Sequence, residues 1–243
     1  MRLLIYNIAY GTGNPGAFHK QIWTIHRYLR TSKGHLDRII DFIDESDADV
    51  VGLVEVDTGS YRTDFVNQVE AIANHLKHYH QSSVKYGKRS LGRAIPILNK
   101  QANAILTRKK VPKWYFHYFP HGFKKLIIEV HLDGIRFFLV HLSIQKKTRE
   151  VQIKYLTKLA KGSSPLIIAG DFNTFSGEDE LRDFKKELKL INPNAEGLPT
   201  YPSSKPKHQL DFILCSKTLK VKDFQIPEVK YSDHLPLILD FHK

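Results

Sequence analysis

Several apolar runs of this chain stop at a single polar residue, and that repeated ending constrains the fold more than any other feature. Met1 to Tyr6 ends at Asn7, Asp49 to Val54 ends at Glu55, and Ile135 to Val140 ends at His141. The run Pro165 to Ala169 is short and apolar, as a buried strand is, and it ends at Gly170-Asp171-Phe172-Asn173. Glycine lets the backbone turn sharply, so a carboxylate and a carboxamide two residues apart leave the sheet edge side by side. Near the C-terminus, Gln209-Leu210 leads into Asp211, and Tyr231-Ser232 leads into Asp233-His234 just ahead of another apolar run. An Asp or Asn after one strand reads as an Asx turn. A carboxylate or imidazole at a strand mouth, however, costs desolvation energy unless it meets a metal, a partner or water. Seven polar strand-end residues on one rim, the carboxamide Asn7 with six carboxylates and imidazoles, point to a shared hydrated cation.

The order of these motifs resembles a known family. Tyr6-Asn7, Val54-Glu55, Val140-His141-Leu142, Gly170-Asp171-Phe172-Asn173, Leu210-Asp211-Phe212-Ile213 and Ser232-Asp233-His234-Leu235-Pro236 are similar to the signature of the endonuclease/exonuclease/phosphatase superfamily. Pancreatic deoxyribonuclease, abasic-site endonucleases, neutral sphingomyelinases and inositol polyphosphate 5-phosphatases belong to that group. The likeness runs from residue 2 to residue 240. It implies an α/β fold of the deoxyribonuclease-like kind, a four-layer α/β sandwich in which two mainly antiparallel β-sheets pack face to face with flanking helices. It also implies a divalent metal, usually magnesium with manganese as a substitute, and hydrolysis of a phosphate ester.

Composition is compatible with one such unit. With 243 residues and 42% apolar content, the chain can bury one core, and 1–243 is read as a single domain. The lone Cys215 excludes an internal disulfide and a thiolate metal cluster; it sits in an apolar run, where a buried thiol is the ordinary outcome. A reducing, cytoplasmic setting is expected, with no cleavable signal ahead of a first strand that begins at Arg2. No apolar run approaches the length of a membrane span. The formal charge of +12 attracts polyanions or anionic membrane surfaces and says nothing about fold. The lysines are scattered as pairs, such as Lys124-Lys125 and Lys146-Lys147, which weakens the case for a continuous basic groove.

Between the strand ends, the periodicity predicts connecting elements. Phe18, Ile22, Ile25 and Leu29 recur at helical spacing among basic residues, a pattern open to core packing or to contact with lipid headgroups or nucleic acid. Helices are expected over 35–44, with Leu36, Ile39, Ile40 and Ile43 inward; over 65–76; over 148–159, with Val151, Tyr155 and Leu159 inward; and over 178–188. Residues 84–100 read as a basic loop, and 192–208, with four prolines, as a long loop on the rim of the site. Asp133-Gly134 between two apolar runs predicts a two-residue hairpin with positive φ. The aromatics between Trp114 and Phe123 suit either strand packing or stacking on bases or a membrane interface.

With the resemblance in place, each polar residue acquires an expected role. Glu55 is the first metal ligand, because a hard cation takes carboxylate and water oxygens and few protein ligands. By resemblance, Asn7 helps position that metal or the phosphate, and Asp233 ligates a second ion or bonds the water of the metal. Asp171 is expected to orient and deprotonate the nucleophile, and Asn173 to donate to a phosphoryl oxygen. Asp211 would hold the imidazole of His234 in its charged form beside the anion. His141 resembles the histidine that the deoxyribonuclease and sphingomyelinase branches place near the leaving oxygen. Arg62 and Asn103 are candidates for substrate contact. Nucleic acid is the leading substrate class and an anionic-membrane phosphohydrolase of phospholipase C or phosphoinositide type the alternative, with a non-catalytic binding module third. A monomer is expected.

Overall fold

The computed structural model describes residues 1–13, 31, 33–84, 97–122, 124–162 and 165–243. The amphipathic segment expected at 18–30, most of the basic loop expected at 84–100, and Phe123 lie outside these residues.

Two six-stranded sheets form the centre of the molecule. The first contains β1 (Arg2–Asn7), β2 (Val50–Asp57), β3 (Tyr79–Val84), β4 (Gln101–Thr107), β11 (Lys220–Gln225) and β12 (Leu237–His242), in the order β11-β12-β1-β2-β4-β3. The second contains β5 (Lys113–Tyr118), β6 (Leu126–Leu132), β7 (Ile135–His141), β8 (Leu166–Asp171), β9 (Leu190–Ile191) and β10 (Asp211–Ser216), in the order β5-β6-β7-β8-β10-β9. Both sheets are mixed and mainly antiparallel: β1 runs parallel to β2 and β7 parallel to β8, and their other neighbours run antiparallel.

Alternation along the strands builds four layers. Leu3 and Ile5 face the second sheet, where they share a core with Leu139, Ile167 and Ile213. Leu4 and Tyr6 point the other way, onto α1 (Lys33–Glu45) and α2 (Gln68–Leu76), meeting Ile39, Ile43, Val69 and Ile72. On the second sheet, Phe138, Val140 and Ile168 are covered by α3 (Lys146–Ala160) and α4 (Arg182–Leu188) through Ile153, Leu156 and Phe184. Burial on both faces explains why these strands read as nearly continuous apolar runs. Each fully buried Leu, Ile or Phe contributes about 1.5–3 kcal/mol, so the three clusters together hold the sandwich. The expected deoxyribonuclease-like sandwich is the observed one.

The topology decides where the polar strand ends meet. Parallel pairing carries β1 and β2 to the same edge, and likewise β7 and β8. Antiparallel neighbours begin where these end, so the starts of β10 and β12 lie at that edge too. Register makes this concrete: His141 pairs with Asp171, and Asp171 pairs with Asp211.

Gly170 is the tightest point of that edge. Its φ is +131°, and a Cβ placed there would lie 2.0 Å from the carbonyl oxygen of Val140. Gly170→Ala therefore forces β7 and β8 apart, with an expected loss of about 1–3 kcal/mol. A denaturant midpoint unchanged from the parent would contradict the close approach. At the hairpin, Asp133 (φ 51°) and Gly134 (φ 74°) adopt the predicted positive-φ turn between β6 and β7.

Three sequence expectations need correction. On α3 the buried stripe is Arg149, Gln152, Ile153, Leu156, Thr157 and Ala160, while Val151 is 41% exposed. Apolar counting misplaces this face because three of its buried members are polar and satisfy their groups internally: Arg149 donates to Ser143 O and Ile144 O and pairs with Glu180, Gln152 bonds loop backbone, and Thr157 donates to Ile153 O. The helix expected from Phe65 begins at Gln68 instead, capped by Asn67 Oδ1, and Phe65 stands 71% exposed with φ 63°. The helix expected over 178–188 is a 3₁₀ turn, Glu178–Leu181, followed by α4. The aromatic stretch divides: Trp114 packs against the inter-sheet core, Phe119 is buried, and Tyr115, Phe116 and Tyr118 on edge strand β5 are exposed.

Candidate active site

At the shared sheet edge, side chains from both sheets converge on a pocket of about 570 Å³. Asn7, Glu55, Asp171, Asn173, Asp233 and His234 all line it. His141 and Asp211 stand directly behind, His141 at 1% exposure, and touch residues of the wall.

Each wall residue is held by the backbone near it. Asn7 closes β1 with its amide, donating from Nδ2 to Asp171 Oδ2 at 3.1 Å and accepting from Ala9 N at 3.1 Å. Ser232 donates to Asn7 O at 2.6 Å and lies 3.2 Å from Asp233 Oδ1, which ties the two ends of the chain together beneath the pocket. Glu55 has φ 58°, at the point where the β2–β4 register shifts between Leu53 and Val56. Such a bulge re-aims one side chain, here toward the mouth. Asn103 Oδ1 accepts the Glu55 N–H at 3.2 Å and so supports the bulge.

Asp171 lies at the centre. Its Oδ1 accepts from Asn173 N at 3.0 Å, and its Oδ2 lies 3.2 Å from His141 Nε2 and 4.0 Å from His234 Nε2. Burial alone would raise its pKa, but the surrounding His141, His234 and Lys124 outweigh burial and hold it well below the usual carboxylate range. Asn173 occupies the left-handed region (φ 53°) and anchors its amide on Leu142 O at 3.0 Å, which sets the exit of the chain from β8.

A second unit consists of Thr200, Asp211 and His234. Thr200 Oγ1 donates to Asp211 Oδ2 at 2.6 Å, and that oxygen bonds His234 Nδ1 at 2.7 Å. Burial works against an imidazolium here, yet Asp211 and Asp233 prevail and push His234 up to about 10. His234 is thus a cation at neutral pH, its Nδ1–H donating to Asp211. Burial raises Asp211, opposed by His234. Asp233 is pushed up to about 6, chiefly by burial, with Glu55 adding to the shift.

This crowding of carboxyl groups tests the fit of a metal. Among the described residues no set of three or more His, Cys, Asp or Glu side chains forms a closed metal cage. The donors present are instead hard oxygens of Glu55, Asp233 and the Asn7 amide around an open pocket, which suits a largely hydrated magnesium or manganese ion held by one or two carboxylates.

Two candidates do not reach the pocket. Arg62 is 0% exposed: it pairs with the equally buried Asp57 (Nη2 to Oδ2, 2.7 Å) and lies 4.0 Å from the Tyr10 ring centre. A buried carboxylate five residues earlier has captured it. Asn103 is likewise buried and acts on Glu55 from behind rather than facing a substrate. Residues that sequence reasoning missed include Lys124, Ile144, Phe175, Tyr201 and His208 on the pocket wall, and Thr200 behind Asp211. The last three line the loop already expected on the site rim; Lys124 belongs to a lysine pair whose facing no local pattern reveals.

A model described as the Endonuclease/Exonuclease/phosphatase family matches residues 4–234. No curated protein matches the chain. Among solved structures, a mannosyl-6-phosphatase from Bacteroides thetaiotaomicron VPI-5482 is similar with TM-score 0.73 and 14% identity, covering 100% of both chains. The human Nocturnin catalytic domain with bound sulfate anion has TM-score 0.68 and 19% identity, covering 100% of this chain and 93% of that one. Humanized D. rerio TDP2 has TM-score 0.65 and 15% identity, covering 100% and 99%. At these identities the likeness shows the fold.

Proposed function

Because this chain belongs to the endonuclease/exonuclease/phosphatase family, whose members hydrolyse phosphate esters, we propose that it is a divalent-metal-dependent phosphodiesterase acting on nucleic acid. The observation that carries this reading is the meeting of Glu55, Asp171, Asp233 and His234, from the pocket ends of three separate strands, at one pocket. The formal charge of +12 supports a polyanionic substrate.

Glu55 and Asp233, with the free lone pair of Asn7 Oδ1, would hold the magnesium or manganese ion, which when bound neutralises charge on the phosphoryl oxygens. Asp171 is ionised at working pH and fixed by Asn7 and Asn173, so it orients the attacking water and receives its proton. The remaining amide N–H of Asn173 donates to a phosphoryl oxygen. His234, kept charged and oriented by Asp211, places a further donor where negative charge grows. His141 sits behind Asp171 with its ring nearly closed to solvent, a position from which it orients that carboxylate.

The test is a panel of plasmid, single-stranded DNA, RNA, small phosphomonoesters and anionic vesicles, assayed with magnesium, with manganese and with chelator. Nucleic-acid cleavage that chelator abolishes and rising salt weakens is the expected result. Headgroup release from vesicles without nucleic-acid cleavage would move the substrate class to phospholipid. Metal-independent turnover, or no turnover of any ester, would refute the proposal.

A further inference from the structure

Lys124 enters the pocket from a direction that no strand end supplies, and its backbone is fixed there by a buried glutamine. Gln152, wholly buried on α3, donates from Nε2 to His121 O at 3.1 Å and to Lys124 O at 3.0 Å, while its Oε1 accepts from Ser143 N at 2.8 Å. One side chain therefore ties His121 and Lys124 to the segment that follows His141. Gly122 allows the approach: its φ is +98°, and a Cβ there would lie 2.8 Å from Gln152 Nε2.

The two lysines of the pair then diverge. Lys125 reaches Pro120 O at 3.5 Å in a bond open to solvent. Lys124 turns inward, with a side chain 26% exposed on the pocket wall. Its Nζ contacts His141 Nε2 and lies 3.9 Å from Glu55 Oε1. These contacts leave donors of the Lys124 ammonium available. His141 Nε2 faces both the Lys124 ammonium and Asp171 Oδ2, and in any one protonation state a ring nitrogen either accepts from the former or donates to the latter. The Glu55 separation is longer than a hydrogen bond. An ammonium has three donors, and here it is pinned at its base, rests one donor on His141, and faces a cavity already lined by a charged imidazole.

We propose that Lys124 is a phosphoryl-binding residue: its ammonium turns from Glu55 and His141 onto a non-bridging oxygen of the bound phosphoryl group. This rests on the reading of the pocket as a phosphate-ester site, and it assigns that site a cation outside the strand-end set. A divalent ion on Glu55 would remove the carboxylate's hold on Lys124, so metal and phosphate would bind in concert rather than compete.

The full-length chain is titrated calorimetrically with inorganic phosphate at saturating magnesium, and separately with magnesium alone. Lys124→Gln is expected to weaken phosphate binding at least about tenfold, as loss of a charge-assisted hydrogen bond does, while magnesium binding is unchanged or tighter. Lys124→Arg retains most of the phosphate affinity, and Lys125→Gln behaves as the parent. Equal phosphate affinity in folded Lys124→Gln and parent would overturn the assignment of Lys124 alone. So would weakened magnesium binding, which would make Lys124 a support for Glu55. A parent chain that binds no phosphate and hydrolyses no ester would overturn the phosphate-ester reading together with it.

Discussion

Replacing His234 with alanine lowers turnover by about 100-fold to 10,000-fold, the range over which positioned proton donors and acceptors act, while the chain stays folded. The expectation follows from geometry: the imidazole is sealed behind Tyr201, bonded to Asp211 at 2.7 Å, and open toward the pocket at the side facing Asp171. Asp211→Asn lowers turnover by a smaller factor, because an amide still touches the ring but no longer holds its charge. Since His234 titrates near 10 rather than near its ordinary 6.5, the parent shows no rate change assignable to this ring between pH 6 and pH 8. The linked stability has a definite sign. A pKa raised on folding stabilises fully below the unfolded value of 6.5, and that contribution is lost as pH rises through about 10. The His234→Ala variant should therefore lose less stability than the parent between those values. Steady-state rates on the substrate found in the panel, with denaturant melts across pH, check both parts. Parent-like turnover in a folded His234→Ala protein would remove this residue from the chemistry.

Asp57→Ala has the largest expected effect on stability, about 3–5 kcal/mol, because it removes a carboxylate that pairs with the buried Arg62 guanidinium. Asp57 also organises the turn after β2: its Oδ1 accepts from Gly59 N at 2.9 Å and Ser60 N at 2.7 Å, and its Oδ2 accepts from Ser60 Oγ at 2.6 Å and Arg62 Nε at 3.1 Å. For a chain of this size the loss corresponds to a fall of roughly 6–20 °C in Tm. The double variant Asp57→Leu with Arg62→Met removes both charges and should recover part of the loss, since the cost comes from a buried ion that loses a carboxylate rather than from the missing contact. Thermal melts and urea midpoints of the single and double variants provide the comparison. A double variant less stable than Asp57→Ala would show that the hydrogen-bonded turn matters more than the charge.

The comparison of sequence and structure separates along one physical line. An apolar run ending in a polar residue is a local signal, because a strand buried on both faces must be apolar along its length and can carry an ionisable group only where it leaves the sheet. Asn7, Glu55, His141, Asp171, Asp211, Asp233 and His234 were legible for that reason, and their order carried the family resemblance. The same reasoning read the Asp133-Gly134 turn and the rim loop at 192–208, where backbone conformation or proline content is itself local.

Partnership is not local. Arg62 reads as a free loop cation until the turn after β2 folds back and gives it to Asp57. Asn103 reads as a strand residue facing the substrate until the bulge in β2 brings the Glu55 N–H against it. Val151 loses its place on α3 because Arg149 and Gln152 are polar only until their groups find carbonyls and a carboxylate in neighbouring loops. Lys124 and Lys125 are equivalent in one dimension and opposite in three. The chain by itself thus determined which strands are buried and where each one surfaces, since those depend on the run of side chains along a single segment. Only the tertiary structure decided which charged groups face the pocket and which are spent on holding it, because that depends on how the backbone brings atoms together, 17 residues apart for Lys124 and His141 and 164 for Asn7 and Asp171.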